Sequence, residues 1–280
     1  MIVNSRNLLQ NAKKNRFGIA APDFIDLDTA RIFVQTAEAL NTPIILSFAQ
    51  SLNHILSIEE AAAIGHVVAR EVTVPIVLHL DHGQDIDYIK KAIDLGFSSV
   101  MIDASMKPLE ENIRLTQEVV ALAHPHDITV EAEIGHVGQN ETDGAYEGEV
   151  GDSIYTEVKD AIRFVQETNV DSLAVSIGTS HGIYKNNVTP TLNFERLQEL
   201  NKALGIPLVL HGSSGTGDEN LRKCVQYGIS KINIFSAIMR GAIKDVDLST
   251  HVDYVTLKKE LNQKMADVLT HNMKNFANQN

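Results

Sequence analysis

The sequence predicts an α/β fold, a parallel (β/α)8 TIM barrel in a single domain. Short runs of β-branched and apolar residues recur eight times, and helix-like stretches separate most of them. The length of 280 residues is close to the ~250 residues that such a barrel typically needs. Because no linker or low-complexity segment interrupts residues 1–280, we expect the whole chain to form one domain.

The elements alternate in chain order. Strand-like runs, whose β-branched side chains favour extended backbone, cover residues 18–21, 43–46, 75–78, 99–102, 129–132, 173–176, 207–210 and 231–234. Proline opens three of these runs, where a strand tolerates it. Apolar residues at helical spacing lie between the runs, for example over 29–40, 58–72, 109–123 and 194–204.

Composition excludes several classes of function. The 24 Lys and Arg residues against 36 Asp and Glu residues give a formal net charge of −12, and without a basic tract a nucleic-acid partner is not expected. The N-terminus lacks the apolar stretch of a signal peptide, and no segment approaches the ~20 apolar residues of a membrane span. The single cysteine, Cys224, excludes intramolecular disulfides. We therefore expect a soluble cytoplasmic protein that binds no membrane.

Two segments interrupt the alternation. Residues 135–153 are rich in glycine and acidic side chains and show no clear period, so we expect a long mobile loop that acts as a lid. Residues 183–191 form a shorter predicted loop, which carries Tyr184 and Lys185 next to His181. This second loop is placed to close over whatever His181 helps to bind.

Three histidines stand where predicted strands end. His82, His181 and His211 follow the third, sixth and seventh strands, and the active site of a TIM barrel lies at these carboxyl ends. A single histidine there is more often a structural group, but three together predict one metal site. Neutral imidazoles with one open position are typical of catalytic zinc.

Carboxylates accompany these histidines. Neighbouring side chains on an extended strand point to opposite sides, so Asp81 is a poor ligand beside His82, and we expect it to transfer protons. The alternative is that it orients a histidine or caps the next helix. Asp103 and Glu133 are expected to orient imidazoles, with an alternate metal position as the other interpretation. His79 lies deeper in its strand, where a structural role is expected.

Two other nucleophile chemistries receive less support. Residues 178–182 satisfy the G-x-S-x-G pattern, but the chain that follows is turn-like and reaches Pro190 instead of forming a helix, which disfavours Ser180 as a nucleophile. A Schiff-base lysine is also disfavoured. Lys231 opens the eighth predicted strand, at the wrong end of the barrel, and Lys185 lies in a solvated loop.

Small and hydroxylic residues follow the last three strands, where barrels commonly bind phosphate through backbone amides and hydroxyls. Turn geometry without a ligand is the alternative interpretation. The cluster comprises Gly182, Lys185, residues 212–215 and residues 233–236.

In combination, five motifs resemble the class II, zinc-dependent fructose- and tagatose-bisphosphate aldolase family. They cover residues 79–83, 99–105, 130–135, 178–182 and 210–215, within a resemblance that extends over residues 8–244. The family implies a TIM barrel and the cleavage of a ketose phosphate to dihydroxyacetone phosphate and an aldehyde. Breaking that carbon–carbon bond leaves an enediolate, whose charge a divalent ion can neutralise.

The resemblance also implies roles for individual residues. Zinc is expected on His82, His181 and His211, with Glu133 and Asp103 near an alternate metal position. Asp81 is expected to exchange the hydroxyl proton and Glu141, in the mobile loop, the carbon-bound proton. The implied phosphate ligands are Gly182, Lys185, Gly212, Ser214, Asn233 and Ser236. A monovalent cation such as Na⁺ or K⁺ often assists such enzymes, and a homodimer or homotetramer is implied.

Three departures from the family pattern bear on the substrate. Phe235 and Ser236 stand where relatives have an aspartate or small residue and then threonine, and Ile25 falls in a region where relatives offer an asparagine. Residues 250–255 lack the Asp-Pro-Arg stretch whose arginine meets a distal phosphate in relatives. We therefore predict an aldehyde other than glyceraldehyde 3-phosphate. A metal hydrolase and a non-catalytic sugar-phosphate sensor are the competing hypotheses.

Overall fold

A computed structural model describes residues 1–135, 155–180, 189–250 and 253–277. Within them, eight parallel strands form a nearly closed barrel, and this confirms the predicted TIM barrel. The sheet order is β1-β8-β7-β6-β5-β4-β3-β2, and a bridge between Asp23 and Ser47 brings β1 alongside β2. The strands are β1 (Ile19–Pro22), β2 (Ile44–Ala49), β3 (Ile76–Gly83), β4 (Ser99–Ile102), β5 (Thr129–Ile134), β6 (Ser172–Val175), β7 (Leu208–Leu210) and β8 (Ile229–Ile234).

Helices surround the barrel. Each of α2 to α9 follows one strand, α1 precedes β1, and α10 packs outside against α2, α8 and α9. Their bounds are α1 (Arg6–Asn15), α2 (Leu27–Ala39), α3 (Ile58–Val68), α4 (Ile86–Asp94), α5 (Leu109–Ala123), α6 (Val158–Thr168), α7 (Phe194–Ala203), α8 (Asp218–Gln226), α9 (Ser236–Ile243) and α10 (Tyr254–Phe276). Among the described residues, no helix combines the length and apolarity that crossing a membrane requires.

Local capping fixes where several helices begin. The Asp26 side chain accepts a hydrogen bond from the backbone N–H of Thr29, and Ser57 does the same with Glu60. Both pairs are complete capping boxes, because the third residue of the helix also bonds back to the cap. Each cap contributes about 1 kcal/mol to the stability of its helix.

The two ends of the barrel interior differ in polarity. The amino end is closed by apolar side chains of α1, β1, β2 and β3, namely Leu9, Ala12, Ile19, Ala21, Ile45 and Val77. The remaining apolar core lies between the strands and the helices. Toward the carboxyl end the interior side chains become polar and ionisable, and this places the chemistry at one end of a rigid scaffold.

The predicted elements agree with the structure except at some boundaries. The helix predicted over 58–72 ends at Val68, because the β-branched residues 72–74 and Pro75 favour extended chain. The eighth strand begins at Ile229 instead of 231. Nearly all of the predicted loop over 135–153, and most of that over 183–191, lies outside the described residues.

Candidate active site

A cavity of about 180 Å³ opens at the carboxyl end of the barrel. The last residues of β2, β3 and β8 and the chain that follows β1, β2, β7 and β8 form its walls, so residues distant in sequence meet there. The described residues that line it are Asp23, Ala49, Ser51, Leu52, Asp81, His82, Gly212, Ser213, Ser214, Asn233, Phe235 and Ser236. This described lining contains two aspartates and neither lysine nor arginine.

His82 has one ring nitrogen bonded to a carboxylate. Its Nδ1 lies 2.7 Å from Asp103 Oδ2, and Asp103 also accepts hydrogen bonds from the hydroxyl and the backbone N–H of Ser105. Burial opposes ionisation of Asp103, but the hydrogen bond from His82, the charge of that ring and the hydrogen bonds from Ser105 together outweigh burial and lower the pKa of this carboxyl. Because an ionised carboxylate only accepts, the proton of the neutral His82 ring lies on Nδ1, and Nε2 then has the lone pair that a metal needs.

Asp81 and His82 approach each other at the end of β3, contrary to the expectation that they diverge. His82 has a φ of 47°, in the left-handed region, and the pairing of β3 with β4 shifts register between Leu80 and Gly83. His82 Nε2 consequently lies 3.7 Å from Asp81 Oδ2. The extended-chain argument is therefore wrong here, while the role predicted for Asp81 stays a prediction.

Asp81 is buried among groups that favour its ionised form. Its Oδ1 accepts a hydrogen bond from Asn233 Nδ2 at 2.9 Å, and Lys231 Nζ lies 3.9 Å from the same oxygen. Burial opposes the charge, but the positive charges of the His82 ring, the Lys231 ammonium and the His211 ring together outweigh burial and keep the pKa of Asp81 well below its usual range. The carboxylate is thus ionised at neutral pH and able to accept a proton.

His211 is fully buried between two glutamates of β5. Its Nε2 lies 3.1 Å from Glu131 Oε1, and its Nδ1 lies 3.1 Å from Glu133 Oε2. Burial disfavours the imidazolium, but hydrogen bonding to Glu131 and Glu133 outweighs burial and raises the pKa of His211 to about 10. The metal-free ring is therefore protonated at neutral pH, and a metal ion would have to displace that proton.

The cluster has the donor set of a divalent metal site. Potential ligand atoms of Asp81, His82 and His211 lie within 4.8 Å of one another, as do those of His82, Asp103 and Glu133. Glu133 Oε2 is buried and faces His211 Nδ1 at 3.1 Å. When Nε2 carries the single ring proton of His211, Nδ1 and Glu133 Oε2 both present lone pairs, and a proton or metal ion between them removes the repulsion. Imidazole and carboxylate together fit such an ion.

The turn after β7 requires glycine. Gly212 has a φ of 65°, and a Cβ at this position would lie 2.6 Å from backbone atoms of Ser180. A side chain there would clash with the chain that follows β6, so the absence of a Cβ lets the two segments approach at the cavity.

Hydroxyl groups join this turn to β8 and to the start of α9. Ser214 Oγ accepts a hydrogen bond from the Ala237 backbone N–H at 3.0 Å, and the Ser213 hydroxyl donates to the Asn233 carbonyl oxygen. Ser236 begins α9 and lines the same cavity. The structure thus brings together the predicted phosphate ligands Gly212, Ser214, Asn233 and Ser236.

Four predicted site residues lie outside the described residues: Glu141, His181, Gly182 and Lys185. They include the third imidazole, the proton-transferring glutamate and the phosphate-binding lysine of the family resemblance. Their roles stay predictions.

His79 and Lys231 lie below the cavity. His79 is 1% exposed and its Nδ1 is 2.9 Å from Ser99 Oγ, as a structural histidine requires. The expectation that Lys231 opens β8 at the wrong end of the barrel is wrong, because β8 begins two residues earlier, at Ile229. Its Nζ instead reaches the interior and lies 3.1 Å from His79 Nε2.

Sequence reasoning did not assign three polar residues to the barrel interior: Asp23, Glu131 and Lys231, the last of which was placed at the opposite end of the barrel. The period of two along a strand could have found the last two, since Glu131 precedes Glu133 and Lys231 precedes Asn233 by two positions. Asp23 directly follows β1, and its Oδ1 is buried without a hydrogen-bond partner among the described residues. Burial and the charge of Asp81 raise the pKa of Asp23 well above its ordinary value.

Imidazoles and carboxylates with metal-site spacing at the carboxyl end of a barrel are typical of metal-dependent barrel enzymes. The chain belongs to the class II fructose-bisphosphate aldolase family, whose sequence profile, described as fructose-bisphosphate aldolase class-II, matches residues 3–280. Enzymes of this family are typically metal-dependent.

Several relatives are aldolases. The chain is 38% identical over 236 residues to the 6-phospho-5-dehydro-2-deoxy-D-gluconate aldolase of Halalkalibacterium halodurans, covering 83% of this chain and 80% of that protein. It is 40% identical over 235 residues to the enzyme of the same name from Shouchella clausii, covering 83% and 78%. The crystal structure of the YdjI aldolase from Escherichia coli K12 superposes with a TM-score of 0.88 at 32% identity and covers 99% of this chain and 98% of that one. The protein is therefore an aldolase, a carbon–carbon lyase.

Proposed function

We propose that this aldolase cleaves a ketose monophosphate to dihydroxyacetone phosphate and an unphosphorylated aldehyde. The observation that carries the proposal is the position of Asp81, an ionised carboxylate 3.7 Å from His82 and within one cluster of metal-type donors with His211. A base next to an electrophilic ion is what a retro-aldol cleavage requires.

The metal would be held by His82 and His211, with His181 as the third ligand proposed from the family resemblance. When bound, a divalent ion of the zinc type would polarise the ketone and offset the negative charge that the three-carbon fragment gains. Asp103 and Glu131 hold the two imidazoles through the ring nitrogens opposite the proposed ligand atoms. This support keeps the rings oriented before substrate arrives.

In the cleavage direction, Asp81 takes the proton of the hydroxyl two carbons from the ketone. That carbon becomes the aldehyde as its bond to the next carbon breaks, and the bonding electrons pass to the ketone fragment. Glu141 is proposed to protonate the carbon of that fragment, giving dihydroxyacetone phosphate. Asn233 keeps Asp81 in place through its 2.9 Å hydrogen bond.

The phosphate of the three-carbon unit is proposed to bind at the wall formed by Gly212, Ser214 and Ser236, with Gly182 and Lys185 completing it. Backbone amides at a helix start and hydroxyl groups suit such an anion. A monovalent cation near this wall belongs to the same proposal.

Charge in the cavity supports a substrate with one phosphate. Its described lining lacks lysine and arginine and includes the ionised Asp81, so a second phosphate would find no cationic side chain there and would meet a negative charge. The substrate in the relatives' name, 6-phospho-5-dehydro-2-deoxy-D-gluconate, has one phosphate and a carboxylate at its other end. Retro-aldol cleavage beside its ketone would give dihydroxyacetone phosphate and an unphosphorylated three-carbon aldehyde acid.

A substrate panel tests the proposal. Metal-loaded protein is offered 6-phospho-5-dehydro-2-deoxy-D-gluconate, fructose 1-phosphate and fructose 1,6-bisphosphate, and release of triose phosphate is followed by a coupled enzyme. We expect the two monophosphates to be cleaved at least as efficiently as the bisphosphate. A strong preference for the bisphosphate overturns the single-phosphate proposal, and binding of all three without turnover favours a sugar-phosphate sensor.

A further inference from the structure

A second cluster with metal-like spacing lies one layer below the cavity, and a lysine already occupies it. Ligand atoms of His79, Asp81 and Glu131 lie within 4.8 Å of one another, and all three side chains are buried. The Lys231 ammonium contacts this cluster, with Nζ 2.8 and 2.9 Å from the two Glu131 oxygens, 3.1 Å from His79 Nε2 and 3.9 Å from Asp81 Oδ1. Its position is that of a cation shared by three ligands.

The strand period explains why this layer lies directly under the proposed active site. Glu131 and Glu133 are two residues apart on β5, as are His79 and Asp81 on β3. Residues two apart on a strand point to the same face, so each lower residue supports the one above it. Lys231 stands in the same relation to Asn233 on β8 and completes the lower layer.

Glu131 connects Lys231 to the proposed metal site. Its Oε1 lies 2.8 Å from Lys231 Nζ and 3.1 Å from His211 Nε2. An ionised carboxylate can only accept, so His211 Nε2 must donate, and Nδ1 is left to face Glu133. A buried carboxylate keeps its charge at this depth when a cation compensates it, and Lys231 is that cation.

His79 also accepts a hydrogen bond from the Lys231 ammonium. Because Lys231 Nζ donates to His79 Nε2, the proton of the neutral ring lies on Nδ1, which donates to Ser99 Oγ at 2.9 Å. The contacts of Nζ described above are thus all with acceptor atoms inside the barrel. The lysine is 1% exposed and does not line the cavity, so it has no direct path to a substrate.

We propose that Lys231 is a positioning residue, a fixed internal cation that holds Glu131 as the acceptor for His211 and thereby selects which His211 nitrogen binds the metal. The proposal rests on the role of His211 as a metal ligand under the proposed function. It assigns to Lys231 a function other than the Schiff-base chemistry of a catalytic lysine. Lys231 acts through Glu131 and touches neither metal nor substrate.

Metal affinity of matched variants tests the inference without relying on turnover. Lys231→Met alone leaves Glu131 buried and uncompensated, so that variant is expected to lose folded protein. The Lys231→Met/Glu131→Gln double variant removes both charges, so this variant is expected to fold. The introduced amide can either accept from or donate to His211 Nε2, so it no longer fixes the tautomer of the ring. Lys223→Met, which breaks the exposed Lys223–Glu219 pair, is the control for loss of a lysine.

The readouts are the Zn²⁺ dissociation constant from chelator competition and the visible spectrum of the Co²⁺-loaded protein. We expect the double variant to bind Zn²⁺ about 10–100-fold more weakly than the wild type and to show an altered Co²⁺ spectrum, as loss of a ligand's supporting carboxylate does. Lys223→Met should match the wild type. A double variant with wild-type affinity and spectrum overturns the role of Lys231.

One further variant, His211→Ala, distinguishes an error in the role of Lys231 from an error in the proposed function. His211→Ala should weaken Zn²⁺ binding strongly if His211 is a ligand. If His211→Ala binds Zn²⁺ as the wild type does, the ligand assignment in the proposed function is wrong. If His211→Ala weakens binding while the double variant does not, only the inference on Lys231 is wrong.

Discussion

Asp103 Oδ2 lies 2.7 Å from His82 Nδ1, and this contact fixes which nitrogen of His82 can bind a metal. Asp103 is held in turn by two hydrogen bonds from Ser105. His211 has a corresponding contact with Glu131. Each of these two proposed imidazole ligands is therefore backed by a carboxylate, the arrangement that orients ligands and raises their basicity in metal sites.

Replacement of Asp103 tests the support of His82. Asp103→Ala removes the acceptor of the Nδ1 proton, so the ring can rotate or change tautomer, and we expect metal affinity to fall about 10–100-fold. Chelator competition with Zn²⁺ measures the effect. Asp94→Ala, at the exposed end of α4, is the control. Unchanged affinity in Asp103→Ala would show that the contact does not serve metal binding.

Asp81→Asn separates proton transfer from binding. The amide keeps the shape of the carboxylate, and its oxygen still accepts from Asn233, but it cannot take a proton. We expect kcat to fall about 10²–10⁴-fold while Zn²⁺ affinity changes much less. Steady-state kinetics on the metal-loaded variant, with metal content measured on the same sample, checks this. Wild-type kcat would exclude Asp81 as the base.

The raised pKa of His211 predicts how the stability of the metal-free protein depends on pH. Because the folded pKa of about 10 lies above the ordinary value of 6.5, the stabilisation is fully present below pH 6.5 and is lost as pH rises toward 10. We expect a loss on the order of a few kcal/mol, measured by urea unfolding in the presence of a chelator. His211→Asn should lack this dependence. An unchanged slope in that variant would assign the effect to another group.

Metal binding should show the opposite dependence on pH. The ion must displace the proton on His211, so Zn²⁺ affinity is expected to rise as pH increases from 6.5 toward 10. Competition with a chelator of known pH dependence measures this. An affinity that stays constant over this range would mean that the His211 proton is not displaced.

Two glycines allow a matched test of the turn after β7. Gly212 and Gly217 both have positive φ, 65° and 86°, but a Cβ at Gly212 would lie 2.6 Å from Ser180 backbone, whereas at Gly217 the nearest atom is 3.7 Å away. Both alanine variants carry the backbone strain of about 1–3 kcal/mol. Only Gly212→Ala should also raise KM for a phosphorylated substrate. Equal effects of the two variants on KM would show that the turn after β7 does not contribute to phosphate binding.

Sequence patterns predicted the barrel, because alternating strands and helices depend on local composition that is visible along the chain. They also indicated His82, Asp103, Glu133 and His211, since strand ends carry the chemistry in this fold. The left-handed backbone of His82 could not be predicted, because it coincides with a register shift between β3 and β4 that the local sequence does not reveal. That shift, and not the alternation of side chains, brings Asp81 close to His82.

The lower polar layer was missed for a different physical reason. Lys231 and Glu131 lie inside apolar strands, 100 residues apart in the chain, and the charge of each is tolerated because the barrel brings the other to it. A single ionisable residue in a strand does not reveal its partner. Asp23 lies just after the four-residue strand β1, so no alternation of polar and apolar side chains along a strand marks it as an interior residue.

X-ray anomalous scattering at the zinc edge, from crystals of the zinc-loaded protein, tests the central claim most directly. We predict one strong peak within ligand distance, about 2.0–2.1 Å, of both His82 Nε2 and His211 Nδ1, with Asp81 facing the bound ion. A zinc peak elsewhere, or one that contacts only one of these two imidazoles, would contradict the account.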